Sequence, residues 1–277
     1  MPGTIKVLSR TPARIEVLFE GYEPEFVNAI RRLALSDVPS LAVDFIYVYD
    51  NSSSVFDEII AHRLGLVVFK SDHLLAELRS PEECRDADEK DESCYVEMIL
   101  EAEVPADADR GRYVTAAELS IAGNRTEAVY PDTPITYLAP GQRVHIVAYA
   151  RLGRGREHGK WSPATVAVSQ YVPIVEYDAS KASSECLECV QAYPEVKRAM
   201  ESGGAGKVEL IGNINTSGLR YCAETVCGEA LRLIYDENRI VLTIESNGSL
   251  APERIVLEAL KALEARASRL KARIQGG

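Results

Sequence analysis

The chain has 277 residues, a net charge of −11 and a pI of about 5.0, and 46% of its residues are hydrophobic. That length suffices for two domains of roughly 100–200 residues, and the composition allows each a sizeable core. The acidic charge disfavours direct binding of DNA or RNA, because phosphate backbones are also negative. With no signal peptide and no run of roughly 18 apolar residues, we expect a soluble, cytoplasmic protein that does not enter a membrane.

The chain opens with a predicted hairpin and an amphipathic helix. Ile5 to Val7 and Arg14 to Phe19 alternate polar and apolar residues, as hairpin strands do. Pro24 suits the first turn of the helix that follows. The helix should end before Pro39, because the residue preceding a proline is pushed out of helical geometry. Its apolar stripe, at helical spacing, is formed by Phe26, Ala29, Ile30, Leu33 and Ala34.

A strand and a second helix are predicted next. Leu41 to Tyr49 is rich in β-branched and aromatic residues, which indicates a strand. Ser54 lies three residues before Asp57, the spacing of a capping box that would open a helix from Val55 to Leu64. Both helices carry a dense polar face, which by itself is typical of a solvated surface. These polar residues are Asn28, Arg31 and Arg32 on the first helix and Asp57, Glu58, His62 and Arg63 on the second.

Residues 46 to 163 are predicted to form a separate, mostly β domain inserted into the first. Short strands alternate here with turn residues, a spacing typical of all-β structure. Gly153 to Arg156 is predicted to be a flexible basic turn, and the highly charged segment Pro81 to Cys94 an exposed loop. Strands are expected at Tyr95 to Ala102, Glu127 to Tyr130, Ile135 to Tyr137 and Arg143 to Arg151.

The remainder should contain two returning strands, a third unit and a long terminal helix. The strands are predicted at Ala164 to Val175 and Arg239 to Ser246. Between them, residues 178 to 237 have the predicted order helix 184–202, strand Lys207 to Ile211, helix 218–234. The terminal helix begins near Pro252, and its apolar residues are spaced 4, 3, 4, 3 and 4 apart, which is a heptad seam. A helix packed on its own domain and a helix paired with a partner both fit this pattern, and we favour the partner.

Side chains suited to catalysis do not form a convincing set. No histidine lies in a zinc motif or beside a nucleophile elbow. The segment Gly203 to Lys207 lacks the final Ser or Thr and the spacing of a phosphate-binding loop, so we interpret it as a linker. We therefore expect no catalytic residues in this chain.

Two stretches resemble a known family. Residues 28–67, NAIRRLALSDVPSLAVDFIYVYDNSSSVFDEIIAHRLGLV, are similar to the assembly motif of the alpha-like subunits of multisubunit RNA polymerases, and most similar to the archaeal D subunits. The Asn-Ala-x-Arg-Arg helix, the Val-Pro-x-x-Ala strand entry and the Asp-Glu-x-x-x-His-Arg-Leu-Gly helix come in the family's order. Residues 246–263, SNGSLAPERIVLEALKAL, resemble the family's C-terminal dimerisation segment. The resemblance thus covers both ends of the chain.

The resemblance implies an α+β fold in three parts. An alpha-like dimerisation domain (1–45 with 164–177 and 238–277) is interrupted by the mostly β insert domain (46–163), and a ferredoxin-like α/β insertion covers 178–237. The implied function is that of a non-catalytic assembly subunit of archaeal DNA-directed RNA polymerase. The implied partners are the small alpha-like subunit L, in a heterodimer, the small zinc subunits N and P, and the large catalytic subunits.

Two sets of contact residues follow from the resemblance and the apolar spacing. Paired charges at an interface that excludes water fix orientation more than they add affinity. Contact with a large subunit is expected at Asn28, Arg31, Arg32, Asp57, Glu58, His62 and Arg63. The seam with the partner helix is expected at Phe26, Ile30, Leu33, Val256, Leu260, Leu263, Ala267, Leu270 and Ile274.

The cysteines of the third part leave three alternatives open. A bacterial-type ferredoxin run, C-x₂-C-x₂-C-x₃-C-P, aligned to end at Pro194 retains only Cys186 and Cys189. A second run ends at Cys227, with Cys222 one position out of register. Cys186, Cys189 and Cys227, or Cys222 in place of one of them, could hold a 3Fe-4S cluster. A ferredoxin-like fold without metal is the simpler interpretation, and disulfides between the two pairs are the third.

An iron–sulfur electron-transfer or redox-sensing protein is therefore the alternative function, although it would need an intact ligand set and a smaller chain. A nucleic-acid-binding module is a third candidate, which the acidic charge disfavours. Cys84 and Cys94 lie in the charged loop of the insert domain. Two cysteines cannot complete a tetrahedral zinc site, so free thiols or a disulfide are expected there.

Overall fold

A computed structural model describes residues 3–88, 91–212 and 215–276 of the chain. The chain is a mixed α and β protein that divides into two compact units. One unit comprises Met1–Arg31 with Ala167–Ile244, and the other comprises Arg32–Val166 with Glu245–Gly277. Among the helices in the described ranges, none has both the length and the apolar character needed to cross a bilayer.

The strands and helices are numbered in chain order. The strands are β1 (Thr4–Arg10), β2 (Arg14–Glu20), β3 (Pro39–Asn51), β4 (Tyr95–Glu103), β5 (Arg112–Thr115), β6 (Leu119–Ile121), β7 (Pro134–Leu138), β8 (Arg143–Arg154), β9 (Ala164–Asp178), β10 (Ala205–Glu209) and β11 (Leu231–Ser246). The helices are α1 (Pro24–Ser36), α2 (Asp57–Gly65), α3 (Leu74–Glu77), α4 (Ser184–Cys189), α5 (Pro194–Glu201), α6 (Ser217–Tyr221) and α7 (Pro252–Ile274).

The strands form three sheets. A five-stranded sheet has the order β1-β2-β11-β9-β10, and its outer pairs, β1 with β2 and β9 with β10, are antiparallel. A four-stranded antiparallel sheet has the order β3-β8-β4-β6, and β5 pairs with β7 in a separate two-stranded sheet. The predicted opening hairpin and the strands at β3, β4, β7, β8 and β9 are confirmed.

The second unit has the largest apolar core, which α2 and one face of the four-stranded sheet enclose. Met98, Leu100 and Ile146 from the sheet and Ile60 and Leu64 from α2 are completely buried in it. Alternate residues of each strand enter this core because neighbouring side chains of a strand point to opposite faces. The sheet therefore has one buried face and one outer face.

Four sequence predictions about local structure are wrong, the last of which is the flexible basic turn. Glu127 to Tyr130 is not a strand, and only Ala128 forms an isolated bridge, with Phe69. No capping box opens α2, because Phe56 rather than Ser54 is its N-cap and no side chain caps it. Asp57 instead accepts a hydrogen bond from the side chain of Asn51 at 2.6 Å. The third concerns the helices predicted between residues 184 and 234.

These two helices are shorter than predicted. The first is interrupted at Tyr193, because Pro194 starts a new helix and disfavours helical geometry in the residue before it. The second consists of α6 and a π-helical turn, Cys222–Cys227. Gly228 then takes a positive φ of 52°, and the chain continues as β11 instead of as helix to residue 234.

The segment predicted to be a flexible basic turn is closely packed. β8 continues through Gly153 to Arg154. A Cβ atom on Gly153 would lie 2.3 Å from the ring of Trp161, and one on Gly155 would lie 2.0 Å from the carbonyl oxygen of Leu35. Both glycines are needed because other groups approach the backbone too closely for any side chain.

Candidate assembly surfaces

The polar face of α1 contains two arginines, of which one is hydrogen-bonded within the chain and the other is exposed without an ion-pair partner among the described residues. Arg31 donates from Nε to Asn28 Oδ1 at 2.9 Å and from Nη1 to the carbonyl oxygen of Ala167 at 3.4 Å. Arg32 is exposed, and its guanidinium forms no ion pair among residues 3–88, 91–212 and 215–276. Of the predicted polar residues on α1, Arg32 therefore has a charge free to contact another chain.

The predicted polar residues of α2 are exposed on the part of the helix surface that the buried Ile60 and Leu64 leave free. Asp57 and Glu58 occupy the first turn, and His62 and Arg63 the last, where acidic and basic groups respectively suit the helix dipole. All four are exposed. Arg63 also donates from Nη1 to the carbonyl oxygen of Ile135 at 2.9 Å, which ties α2 to β7. The arrangement is a charged surface held on a rigid element.

Sequence reasoning missed the apolar residues that accompany these charges. Phe56 is 73% exposed, Ile59 43% and Leu66 50%, although α2 already buries Ile60 and Leu64. Large apolar side chains that remain exposed beside a charged helix face are typical of protein interaction sites. The sequence did contain a signal for this surface: the segment around α2 has more large apolar residues than its buried stripe, Ile60 and Leu64, can use.

The terminal helix α7 is buried at its start and exposed at its end. Ile255 and Ala259 are completely buried and Val256 is 9% exposed, whereas Leu270 is 60% and Ile274 76% exposed. Of the other predicted seam residues on α7, Leu260 and Leu263 are half-buried and Ala267 is exposed. The apolar seam thus continues beyond the point where the chain's own described residues cover it.

The seam residues predicted on α1 are in a different situation. Ile30 is completely buried and Leu33 is 3% exposed, so the chain itself already covers both. Phe26 is half-buried, and its ring stacks on that of Tyr22 with the centroids 5.4 Å apart. Among these three predicted residues, only Phe26 has side-chain surface left to offer a partner.

An ion-pair network around Asp37 anchors α7 where its exposed half begins. The Asp37 side chain is 6% exposed and lies 2.6 Å from Nη2 of Arg266 and 3.2 Å from Nη1 of Arg156. Arg154 and Arg156 also contact Glu82, and the hydrogen bond from Arg154 lowers the pKa of the Glu82 carboxyl. A nearly buried carboxylate is stable only beside such partners, so this network fixes the position of α7.

The six cysteines form three disulfides. Cys186 is bonded to Cys227 and Cys189 to Cys222, which is the third of the alternatives left open by the sequence. In this form these four residues do not fit an iron–sulfur cluster, because such clusters need thiolates and each of these sulfur atoms is bonded to another. The remaining pair, Cys84 and Cys94, is also joined, as one of the two expectations for them had it.

Comparison with known proteins first gives the class. Residues 46–174 match the family model of the RNA polymerase Rpb3/RpoA insert domain, which belongs to alpha-like polymerase subunits. The chain is 51% identical over 266 residues to the DNA-directed RNA polymerase subunit Rpo3 of Aeropyrum pernix, covering 96% of this chain and 93% of that protein. Subunits of the same name from Methanothermobacter thermautotrophicus (99% of both chains covered) and Thermococcus kodakarensis (95% of both) are each 34% identical.

The chain therefore belongs to the Rpo3 family of DNA-directed RNA polymerase subunits, the archaeal alpha-like subunits that its assembly motif resembles. Membership confirms the predicted role as a non-catalytic assembly subunit of an archaeal RNA polymerase. These relatives give no support to the alternative of a redox or electron-transfer protein.

Proposed function

We propose that the chain pairs with a small alpha-like subunit of the L type through the exposed half of α7. The observation that carries the proposal is the line of Ala267, Leu270 and Ile274, which continues a heptad seam without cover from the described residues. A narrow apolar stripe of this period is best covered by a second helix. Leu260 and Leu263, which are half-buried, would form the inner end of the seam.

On α1, Phe26 would contribute to the same pairing, whereas Ile30 and Leu33 are already buried by the chain itself and would chiefly hold α1 in place. Co-expression with a small alpha-like subunit, followed by native mass measurement, tests the pairing. We expect a one-to-one complex. A chain that remains monomeric beside an excess of folded small subunit would refute the pairing.

We further propose that α2 and Arg32 contact a large polymerase subunit. Asp57, Glu58, His62 and Arg63 would fix its orientation, since paired charges at an interface chiefly set register. Phe56 and Ile59 would supply apolar area, because each has a large exposed fraction to bury. Asn28 and Arg31, whose side chains are hydrogen-bonded to each other, would also contact the large subunit.

Replacing Arg32 with glutamate tests this division of labour. Arg32→Glu should leave pairing with the small subunit intact and block capture of the large subunit, because it reverses one exposed charge. Arg198→Glu, on α5, is the matched control and should permit both steps. Co-purification measures both. If Arg32→Glu abolishes pairing with the small subunit, the proposed roles of α1 and α7 are wrong.

For the remaining parts we propose the organisation that the resemblance implies. The alpha-like domain would comprise 1–45, 164–177 and 238–277, the insert domain 46–163, and the ferredoxin-like insertion 178–237. The order of α4, α5, β10, α6 and β11 in the last part supports the ferredoxin-like interpretation. The pair formed with subunit L would act in the cytoplasm, and with the zinc subunits N and P it would form the platform for the large subunits.

This organisation includes a ferredoxin-like part that works without a cluster, its cysteines bonded as disulfides. Iron and acid-labile sulfide assays on anaerobically purified protein test this. We expect both to be blank, and stoichiometric iron with sulfide would overturn the proposal.

A further inference from the structure

The outer face of the four-stranded sheet carries an aromatic patch that the functions above do not use. On β3 and β8, Phe45 lies opposite Tyr149 and Tyr47 opposite Val147, so these side chains share one face of the sheet. The residues between them, such as Ile46 and Val48, pack against the core on the other face. We call this patch the aromatic face, and its members are Phe45, Tyr47, Ile99, Val147 and Tyr149. Tyr49 belongs to it as well, because it lies at a β-bulge of β3 and its ring stacks on that of His145 of β8 with the centroids 5.2 Å apart.

The aromatic face is exposed at one end and internally ordered. Tyr47 is 43% and Tyr49 68% exposed. The ring of Phe45 stacks on that of Tyr149 with the centroids 5.1 Å apart, and Tyr47 contacts Tyr149 edge to face at 6.0 Å. Rings that already hold one another lose little conformational freedom when a partner covers them, so the surface is prepared for binding.

Acidic side chains border these rings. Glu97 and Glu101 of β4 lie opposite Tyr149 and His145 of β8, and both carboxylates are exposed. Glu97 accepts a hydrogen bond from the hydroxyl of Tyr149 at 2.9 Å. In the part of the chain that the structure describes, neither carboxylate forms an ion pair with a basic residue. The face therefore combines aromatic rings with unneutralised negative charge.

The arginines that border the face do not neutralise it. Arg143, at one end, pairs with Asp50. At the other end, Arg151 lies 2.7 Å from Asp44. Each of these cations therefore already has a carboxylate of its own.

A cavity of about 430 Å³ lies at the inner end of the face. Its lining includes Tyr95, Glu97 and Tyr149 together with Glu92 and Arg125. Arg125 donates to the carbonyl oxygen of Glu92 at 2.9 Å and lies 3.9 Å from the Glu77 carboxylate. The cavity is large enough for one long side chain, and the charged residues of its lining, Glu92, Glu97 and Arg125, carry a net negative charge.

We propose that the aromatic face binds an extended, basic segment of another polypeptide. Arginine or lysine side chains would lie over the rings of Tyr47 and Tyr49, where cation–π attraction favours them, and one would enter the cavity beside Glu97. Stacking rings on a sheet also suit unpaired RNA bases, but Glu97 and Glu101 would repel the phosphates. The proposal is independent of both contacts proposed above, because it uses neither α7, assigned to the small subunit, nor α2, assigned to the large subunit.

Fluorescence anisotropy with the full-length chain and a labelled peptide of alternating arginine and valine tests the proposal. Tyr47→Ser/Tyr49→Ser should weaken binding of this peptide about five- to thirtyfold, the effect of losing two exposed cation–π contacts. Glu97→Gln/Glu101→Gln should weaken it similarly and flatten the dependence on salt, because screening acts on charge pairs. Circular dichroism checks that each variant is folded. If the double tyrosine variant does not fold, Tyr49→Ser alone is used in its place.

Two matched controls separate this site from the general acidity of the chain. Tyr113→Ser removes a tyrosine that is 65% exposed on β5, and Glu185→Gln removes an exposed carboxylate on α4. Neither should change the affinity for the peptide. The proposal is overturned if the wild-type chain does not bind the peptide, or if the controls lose as much affinity as the site variants. Tighter binding of an oligouridylate than of the peptide would likewise reject it in favour of RNA.

Discussion

The exposed half of α7 allows the proposed pairing to be tested quantitatively with Leu270→Asp/Ile274→Asp. A fully buried leucine or isoleucine side chain contributes about 1.5–3 kcal/mol. Leu270 retains 60% and Ile274 76% of its exposure in the single chain, so covering both should contribute about 2–4 kcal/mol to pairing. Their loss should weaken affinity for the small alpha-like subunit about 30- to 1,000-fold. Without the partner, the free energy of unfolding of the double variant should lie within about 0.5 kcal/mol of that of the wild type, since both residues face solvent.

The matched control for this experiment is Leu257→Asp. Leu257 is on the same helix and is 53% exposed. The positions that follow it at heptad spacing are the charged residues Lys261 and Glu264, so Leu257 is not part of an apolar seam. Titration calorimetry with the purified small subunit measures all three proteins. Equal loss of affinity in the control, or full affinity in the double variant, would refute the assignment of the seam.

Three further changes address stability, each measured by reversible thermal or chemical unfolding. Gly155→Ala should cost about 3 kcal/mol, the upper range for overpacking, because its Cβ would meet a backbone carbonyl at 2.0 Å. Gly159→Ala, which has nothing within 4 Å, should be nearly neutral; equal costs would contradict the packing described. Cys186→Ala/Cys227→Ala opens a cross-link across 41 residues and should cost about 2–4 kcal/mol, and an unchanged midpoint would show the bond is unformed in solution. Asp37→Asn should lower the free energy of unfolding by about 1–3 kcal/mol, because two arginines lose their charged partner. It should also reduce the protection of the α7 amides from hydrogen exchange, and unchanged protection would contradict the anchoring role of Asp37.

The long elements could be predicted from sequence because one pattern persists through each. α1 keeps its apolar period over 13 residues and α7 over 23, and prolines mark the beginning of both. The predicted end of α1 before Pro39 is also correct, since proline acts on the backbone locally. Short strands such as β5 and β6 could not be found, because four and three residues are too few to display alternation.

Long-range bonds explain the errors between residues 184 and 234. The segment after Gly218 has helical composition, but Cys222 and Cys227 are each bonded to a cysteine of α4. The sequence predicted bonding between these pairs as one alternative only, because spacing cannot distinguish a ligand from a disulfide partner. Leu231 then enters β11, where the five-stranded sheet overrides the local preference for helix.

The candidate surfaces were only partly accessible to sequence reasoning. The charged residues of α2 were identified through the motif, whereas the exposure of Phe56 was not, because an apolar residue looks the same whether it is buried or exposed. The aromatic face was missed for a related reason. Alternation along β3 shows that Tyr47 and Ile46 face opposite ways, but not which of the two faces another layer covers.

Under the proposed pairing, the bare end of α7 would tie the abundance of this chain to that of its partner. The last turns of the helix have few contacts to hold them, so an orphan copy would fray there and offer a cleavable tail to cellular proteases. Capture by a partner helix would protect the same residues. Surplus copies would thus be removed and matched copies retained, so the stoichiometry of the enzyme would be enforced by turnover, without a dedicated sensor.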